Sequence, residues 1–425
     1  MALVVAIVMA LLLPAAPREV PGSSPGHPWT LGVNPVTGAA TANGWQVVSS
    51  VTTPGWTGGA TAPVQGSITC PMASRCYLYP KASGTSASAP AARSIKLMQT
   101  SFFVSTDGGR HWSASGALPS GIRLTTSMSC PTGDGLHCLA GGEATNVTYP
   151  VTKIGFVTVP RNAAYLLATP DGGATWSERP LPAGIGSIAD LSCSSESQCV
   201  AVIASRYDLG VLPIYGQLYV TTDGGSTWRH IPTPPYYQGY FVSCHGLACV
   251  SEGEIWKLGG GAPFQGALLY STNGGISWKA GKLPPGFATS NMSYLTCSDA
   301  SYCLVTGSVR EVQALASTSD GGATWTLLPR HPMGMAFEAS CPAAGVCWVG
   351  TEGSGGAPAL MHTTNGGISW TEVSLPPPPP QAVNPDPGGP TPIGQVKCPT
   401  VSECIATAMV YPGQESPIYT YSAAA

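Results

Sequence analysis

Short apolar runs punctuated by turn residues fill this chain, and they are too short for helices. Gln217-Leu218-Tyr219-Val220-Thr221 and Ala267-Leu268-Leu269-Tyr270-Ser271 are clear cases. Each ends at a cluster of Gly with Asp or Asn, the signature of a strand entering a tight turn. The runs recur in a fixed order. An apolar strand ends in Cys, a tight loop follows, and a second Cys opens the next strand. A loop of variable length then leads to a third strand, which runs into an eight-residue phrase: Ser/Thr, any residue, Asp/Asn, Gly, Gly, two residues, Trp. Trp opens a fourth strand. This order predicts four-stranded antiparallel meanders.

The phrase occurs six times, with Asp/Asn and Trp at Asp107 and Trp112, Asp171 and Trp176, Asp223 and Trp228, Asn273 and Trp278, Asp320 and Trp325, and Asn365 and Trp370. A period of roughly 45 to 64 residues marks an array of similar units, a solenoid or a propeller. Paired glycines supply backbone angles closed to other residues, the Asp or Asn oxygen accepts turn amides, and the Trp packs into the blade. Two of the six carry Asn. A turn tolerates that exchange and an acid/base does not, so the position reads as structural.

The chain ends supply the count. After the seventh cysteine pair the sequence reaches Ile418-Tyr419-Thr420-Tyr421, a third strand with neither phrase nor fourth strand behind it. Asn43-Gly44-Trp45-Gln46-Val47-Val48 resembles the close of one such phrase at the other end. A first strand completing the last blade would leave no long unpaired edge. The expectation is an all-β, seven-bladed β-propeller over 27–425, with the N-terminal strand closing the last blade and a Pro-rich insertion at 376–392.

Fourteen cysteines fall into seven close pairs: Cys70 and Cys76, Cys130 and Cys138, Cys193 and Cys199, Cys244 and Cys249, Cys297 and Cys303, Cys341 and Cys347, Cys398 and Cys404. An even count, one pair per repeat, reads as local disulfides made in an oxidising compartment. Zinc would favour two-residue gaps or histidines at fixed offsets, and the seven histidines are scattered. No metal or cofactor is expected. Ala2 to Leu13 is apolar throughout, long enough for a signal-peptide core and short for a membrane span. Residues 1–26 therefore read as a signal peptide or an N-terminal anchor with a Pro-rich leader, giving a secreted, periplasmic or cell-surface protein. No Lys or Arg precedes the run, and Pro14 and Pro17 interrupt the small residues at Ala15 and Ala16, so cleavage stays open.

Charged residues are only 9% of the chain, and Gly (53) and Pro (41) are abundant, as in a turn-rich β protein. With a net charge of −3 there is no basic field to gather phosphates, which excludes nucleic acid as the expected partner. Membrane contact is expected only through the leader, and the expected state is a monomer. Gly22-Ser23-Ser24-Pro25-Gly26 matches a hydrolase elbow but lacks the strand and helix that elbow requires.

The six phrases resemble the Asp-boxes, or bacterial neuraminidase repeats, of sialidases, sortilin-type receptors, xyloglucan-degrading glycosidases and propellers similar to photosystem II assembly factors. The resemblance runs from Trp45 to the C-terminus and implies a rim hairpin between the third and fourth strands of each blade. Strand order then places the cysteine loops and the boxes on one face. The opposite face is formed by connections of widely differing length, where binding is expected on a rigid repeat. Among the residues those loops gather, Arg206, Tyr207, Asp208, Tyr236, Tyr237, Glu252, Trp256, Arg310 and His331 are the candidate binding residues, aromatics beside Arg being typical of a recognition surface.

Three functions compete. The first is an exported, non-catalytic propeller that binds a protein or cell-surface partner through the loop-rich face. The second is a glycoside hydrolase of sialidase or xyloglucanase type. A sialidase resemblance implies an Arg-Ile-Pro signature that is absent here, and a xyloglucanase would need two carboxylates across a funnel, for which Asp208, Glu252, Glu254 and Glu338 are the stock. The third is a lectin using the same aromatics on a surface glycan. The balance leans away from an enzyme.

Overall fold

The computed structural model describes residues 32–36, 41–52, 64–82, 101–120, 122–144, 153–154, 157–158, 163–182, 185–205, 216–256, 264–289, 294–329, 335–353, 356–378, 392–408 and 415–423. The leader and most of the Pro-rich insertion fall outside them. The described chain folds into seven antiparallel blade sheets, each a meander, and a separate two-stranded ribbon, Lys153–Ile154 with Val157–Thr158. Blade three shows the pattern plainly: Ile185–Cys193, Cys199–Ser205, Gln217–Thr221 and Arg229–Ile231, hydrogen-bonded in that order.

The first strands of the blades are Val64–Met72, Ile122–Ser129, Ile185–Cys193, Tyr237–His245, Leu295–Cys297, Ala336–Ala343 and Ile393–Thr400. Each packs on the next, and the seventh packs on the first, so the array is a closed wheel with these strands around its axis. Burial follows the same logic. Alternate residues of a strand face opposite neighbours, so Cys199, Ala201 and Ile203 join a core with blade two while Val200 and Val202 join one with blade four. Seven such clusters lie at the seven blade interfaces.

The tryptophans take their meaning from these interfaces. Sequence alone places each box Trp inside its own blade. In the structure Trp176, Trp228, Trp278, Trp325 and Trp370 instead pack between their blade and the one before it. Trp112 does the same against Ile405 and Ile418 of blade seven. The seventh such position belongs to Trp45, fully buried against Trp348 and Tyr421.

Trp45 opens the closing strand, Trp45–Thr52, which pairs antiparallel with Glu415–Ser422 as the fourth strand of blade seven. The wheel is thus held shut by the N-terminal segment, as expected. Two features differ from expectation. Gly32–Pro35 and Thr41–Ala42 add further pairing outside the clasp. Asn43 and Gly44, with φ of 52° and 81°, form the two-residue turn of a tight hairpin rather than the end of a box.

All seven expected disulfides are formed, each closing the turn between the first and second strands. Cys193 and Cys199, Cys244 and Cys249, and Cys297 and Cys303 are direct cross-strand partners, so these bridges fix hairpin register. Such bonds suit an oxidising compartment. Among the described residues no helix is long and apolar enough to cross a membrane.

Candidate functional site

The boxes are self-contained. In blade three the Thr221 hydroxyl donates to Asp223 Oδ1 (2.8 Å) and accepts from the Gly225 amide (2.9 Å). Asp223 Oδ1 also takes the Thr227 amide, and Oδ2 takes the Thr227 hydroxyl at 2.6 Å. The same closure recurs at Asp171 and Asp320, and at Asp107 with His111 as the partner. The two Asn boxes run the last bond backwards: Asn273 and Asn365 donate from Nδ2 to Ser277 and Ser369. A hydroxyl can donate or accept, so either residue completes the turn. The Thr227 hydroxyl and amide hold the Asp223 carboxyl down at about 2. An acid so stabilised as its anion is a poor proton donor at neutral pH.

Box and cysteine loop share a face, as the strand order requires. The first box glycine donates its amide to a carbonyl of the same blade's cysteine loop, for example Gly108 to Ser74, Gly224 to Ser197 and Gly321 to Ser301. The second box glycine leaves no room for a side chain. At Gly275, φ is 84° and a Cβ would stand 2.3 Å from Val200 of the preceding blade.

On the opposite face the candidate binding residues separate. Arg206, Tyr207, Asp208 and His331 lie outside the described residues. Trp256 ends the second strand of blade four on this face, its side chain undescribed. Tyr236 is 59% exposed, and Arg310 is exposed at the turn between Cys303–Val309 and Val312–Thr318. Tyr236, Arg310 and Glu311 all take left-handed backbone, with φ of 61°, 51° and 66°. That conformation is strained for residues other than Gly and Asn.

Two candidates are corrected by their burial. Tyr237 lies in the core between blades three and four, its hydroxyl 2.8 Å from Ser251 Oγ. Tyr237 opens the strand Tyr237–His245 and is buried, while Tyr236, one residue earlier in the left-handed turn, is exposed. Glu252 is fully buried, and neither carboxylate oxygen has a hydrogen-bond partner. Thr289 sits beside it but donates its own proton to the Gly253 carbonyl. Burial, reinforced by the neighbouring Glu254 charge, pushes the Glu252 carboxyl well above its ordinary range.

The axis carries polar residues that sequence reasoning passed over. The residue before the first Cys of several blades accepts the next blade's Cys amide: Ser129 from Cys193, Ser192 from Cys244, Ser243 from Cys297 and Ser340 from Cys398. Its signal was the repeated Ser-Cys step. Lys397 occupies that position in blade seven and pairs with Glu338 of blade six. Glu338 sits on the first strand of blade six, Ala336–Ala343. Burial works to lower the Lys397 ammonium, but the Glu338 carboxylate prevails and raises it, and about a third of the side chain (34%) still reaches solvent. Asp190 spans three blades, accepting from Ser127 Oγ and the Val242 amide. Nearer the loop-rich end, Tyr240 donates to Glu254 Oε2 at 3.1 Å. Glu254 is raised by its burial.

The BNR/Asp-box repeat model matches residues 269–280, the box of blade four. No curated protein sequence matches the chain significantly. Solved structures of similar fold include YCF48 bound to D1 peptide, 13% identical over 88% of this chain and 98% of that one, TM-score 0.50. YCF48 from Cyanidioschyzon merolae is 13% identical over 87% and 98%, TM-score 0.50. The β-propeller domain of the Trilobed protease from Pyrococcus furiosus is 9% identical over 86% and 94%, TM-score 0.50. The protein is an Asp-box β-propeller.

Proposed function

We propose that this propeller is an exported, non-catalytic binding protein that engages a protein or cell-surface partner through its loop-rich face. The observation that carries the reading is the placement of strain. Of the four non-glycine residues with left-handed backbone among those described, Asn43 and the Arg310–Glu311 pair form two-residue hairpin turns; Asn suits that conformation, whereas Tyr236, Arg310 and Glu311 do not, and these three stand on that face at adjacent blades four and five. Backbone strain kept at exposed polar and aromatic residues marks a surface shaped for contact.

The acids support the same side of the choice. The four box aspartates complete turns, Glu338 is paired with Lys397, Glu254 holds Tyr240, and Glu252 is sealed from solvent. No pair among these stands free to flank a glycosidic bond. The YCF48 structure is bound to D1 peptide, so this fold can bind a peptide.

The test is capture of partners from the native host's envelope fraction by the immobilised chain. Tyr236→Ala and Arg310→Ala should lower capture about tenfold each, as expected for anchor residues, with thermal unfolding unchanged. Equal capture by both variants removes the face from consideration. Turnover of fluorogenic sialosides or β-glucosides by the wild-type chain would overturn the non-catalytic reading.

A further inference from the structure

The disulfide loops of blades two and three meet on the box face. Asp134 and His137 belong to the loop closed by Cys130–Cys138, and Glu196 to the loop closed by Cys193–Cys199. His137 Nδ1 lies 2.7 Å from Asp134 Oδ2 and 3.3 Å from Glu196 Oε1. The three ligand atoms all fall within 4.8 Å of one another. Two carboxylates from different blades therefore converge on one imidazole nitrogen, which can donate a proton to only one of them.

We propose that Asp134, His137 and Glu196 bind a divalent metal ion of the zinc class, clipping blade two to blade three. A tetrahedral zinc site with Zn–N and Zn–O bonds of about 2.0–2.1 Å sets its ligand atoms about 3.3 Å apart. The separations from His137 Nδ1 are already close to that edge. The loop backbone fixes the Asp134 carboxylate, because Oδ1 accepts the amides of Leu136 (2.7 Å) and His137 (3.3 Å) and leaves Oδ2 directed at the imidazole. Such outer bonds orient metal ligands. Both loops are tethered by disulfides, and the side chains are 24%, 36% and 64% exposed for Asp134, His137 and Glu196, which gives an ion a route in and a water a fourth position. The Asp107–His111 pair makes a similar contact without belonging to any three-ligand group among the described residues. From sequence no metal site is expected here, because Glu196 is almost a whole blade away along the chain and joins the other two only when blade three packs on blade two.

The full-length, disulfide-intact chain, stripped with chelator, is titrated with Zn²⁺ by calorimetry and by thermal unfolding. One saturable site that raises the unfolding temperature is expected. His137→Ala and Glu196→Gln should each weaken binding by about tenfold or more, on the scale set by outer-shell losses in zinc sites, while His111→Ala leaves it unchanged. All three side chains are exposed enough that the variants fold, which circular dichroism verifies. Absence of saturable uptake by the wild type, or unaltered binding by His137→Ala, overturns the site. Unaltered binding by Glu196→Gln overturns the inter-blade clip.

Discussion

Glu252→Gln should make the protein more stable at neutral pH, and the gain should grow with pH. In the unfolded chain this carboxyl ionises near its ordinary value of 4.5; in the fold, burial and Glu254 hold it protonated far above that. Between those limits the folded state binds one proton more than the unfolded state. Stability then falls with rising pH by about 1.4 kcal/mol per unit until the folded value is reached. Each two pH units over which the buried carboxyl stays protonated while the unfolded one is ionised therefore remove about 2.7 kcal/mol. At ~2.1 cal/mol/K per residue, a chain of this size has an unfolding entropy of ~0.9 kcal/mol/K, so that loss corresponds to about 3 °C. Gln cannot ionise. Thermal unfolding of both proteins from pH 5 to pH 8 should therefore show nearly equal midpoints at pH 5 and a gap widening in favour of the variant. Parallel curves would mean that Glu252 ionises in the fold, and the picture of a sealed, unpartnered acid would be refuted.

Three further outcomes are expected. Trp45→Ala should cost about 3–5 kcal/mol in denaturant unfolding, since a fully buried ring at the junction of blades six and seven is lost along with the grip of the clasp; a loss below ~1 kcal/mol would deny the clasp its role. Glu311→Gly should stabilise by about 0.5–1 kcal/mol, the relief of a left-handed L-residue less the extra freedom of glycine in the unfolded chain, measurable as a higher denaturation midpoint. Asp223 has a folded value of about 2 against 3.8, so its contribution is fully present above pH 4 and is lost as pH falls through 2. Asp223→Asn should flatten that acid limb while changing neutral-pH stability little, because the Thr227 hydroxyl can turn to accept as Ser277 does for Asn273; an unchanged limb would refute the assignment.

The blades, their number and the disulfide pairing were legible in the sequence because they depend on local rules. A Gly-Gly turn after Asp or Asn, a Cys on each side of a tight loop, and an apolar run of strand length act within some ten residues of chain, wherever the blade lies. The clasp was legible by elimination, since Ile418 to Tyr421 lacked a partner and Trp45 lacked a blade. The candidate surface was only partly legible. Tyr236 faces solvent from a left-handed turn and Tyr237 opens the strand into the core, a boundary that the run of tyrosines does not mark in the sequence. Each blade buries its two sides against different neighbours, so the packing of consecutive blades decides that Glu252 is sealed and that Lys397 meets Glu338. Packing of blade two on blade three likewise brings Glu196 to His137. A local code determines the repeating unit, whereas contacts between units are set by how neighbouring blades pack on one another.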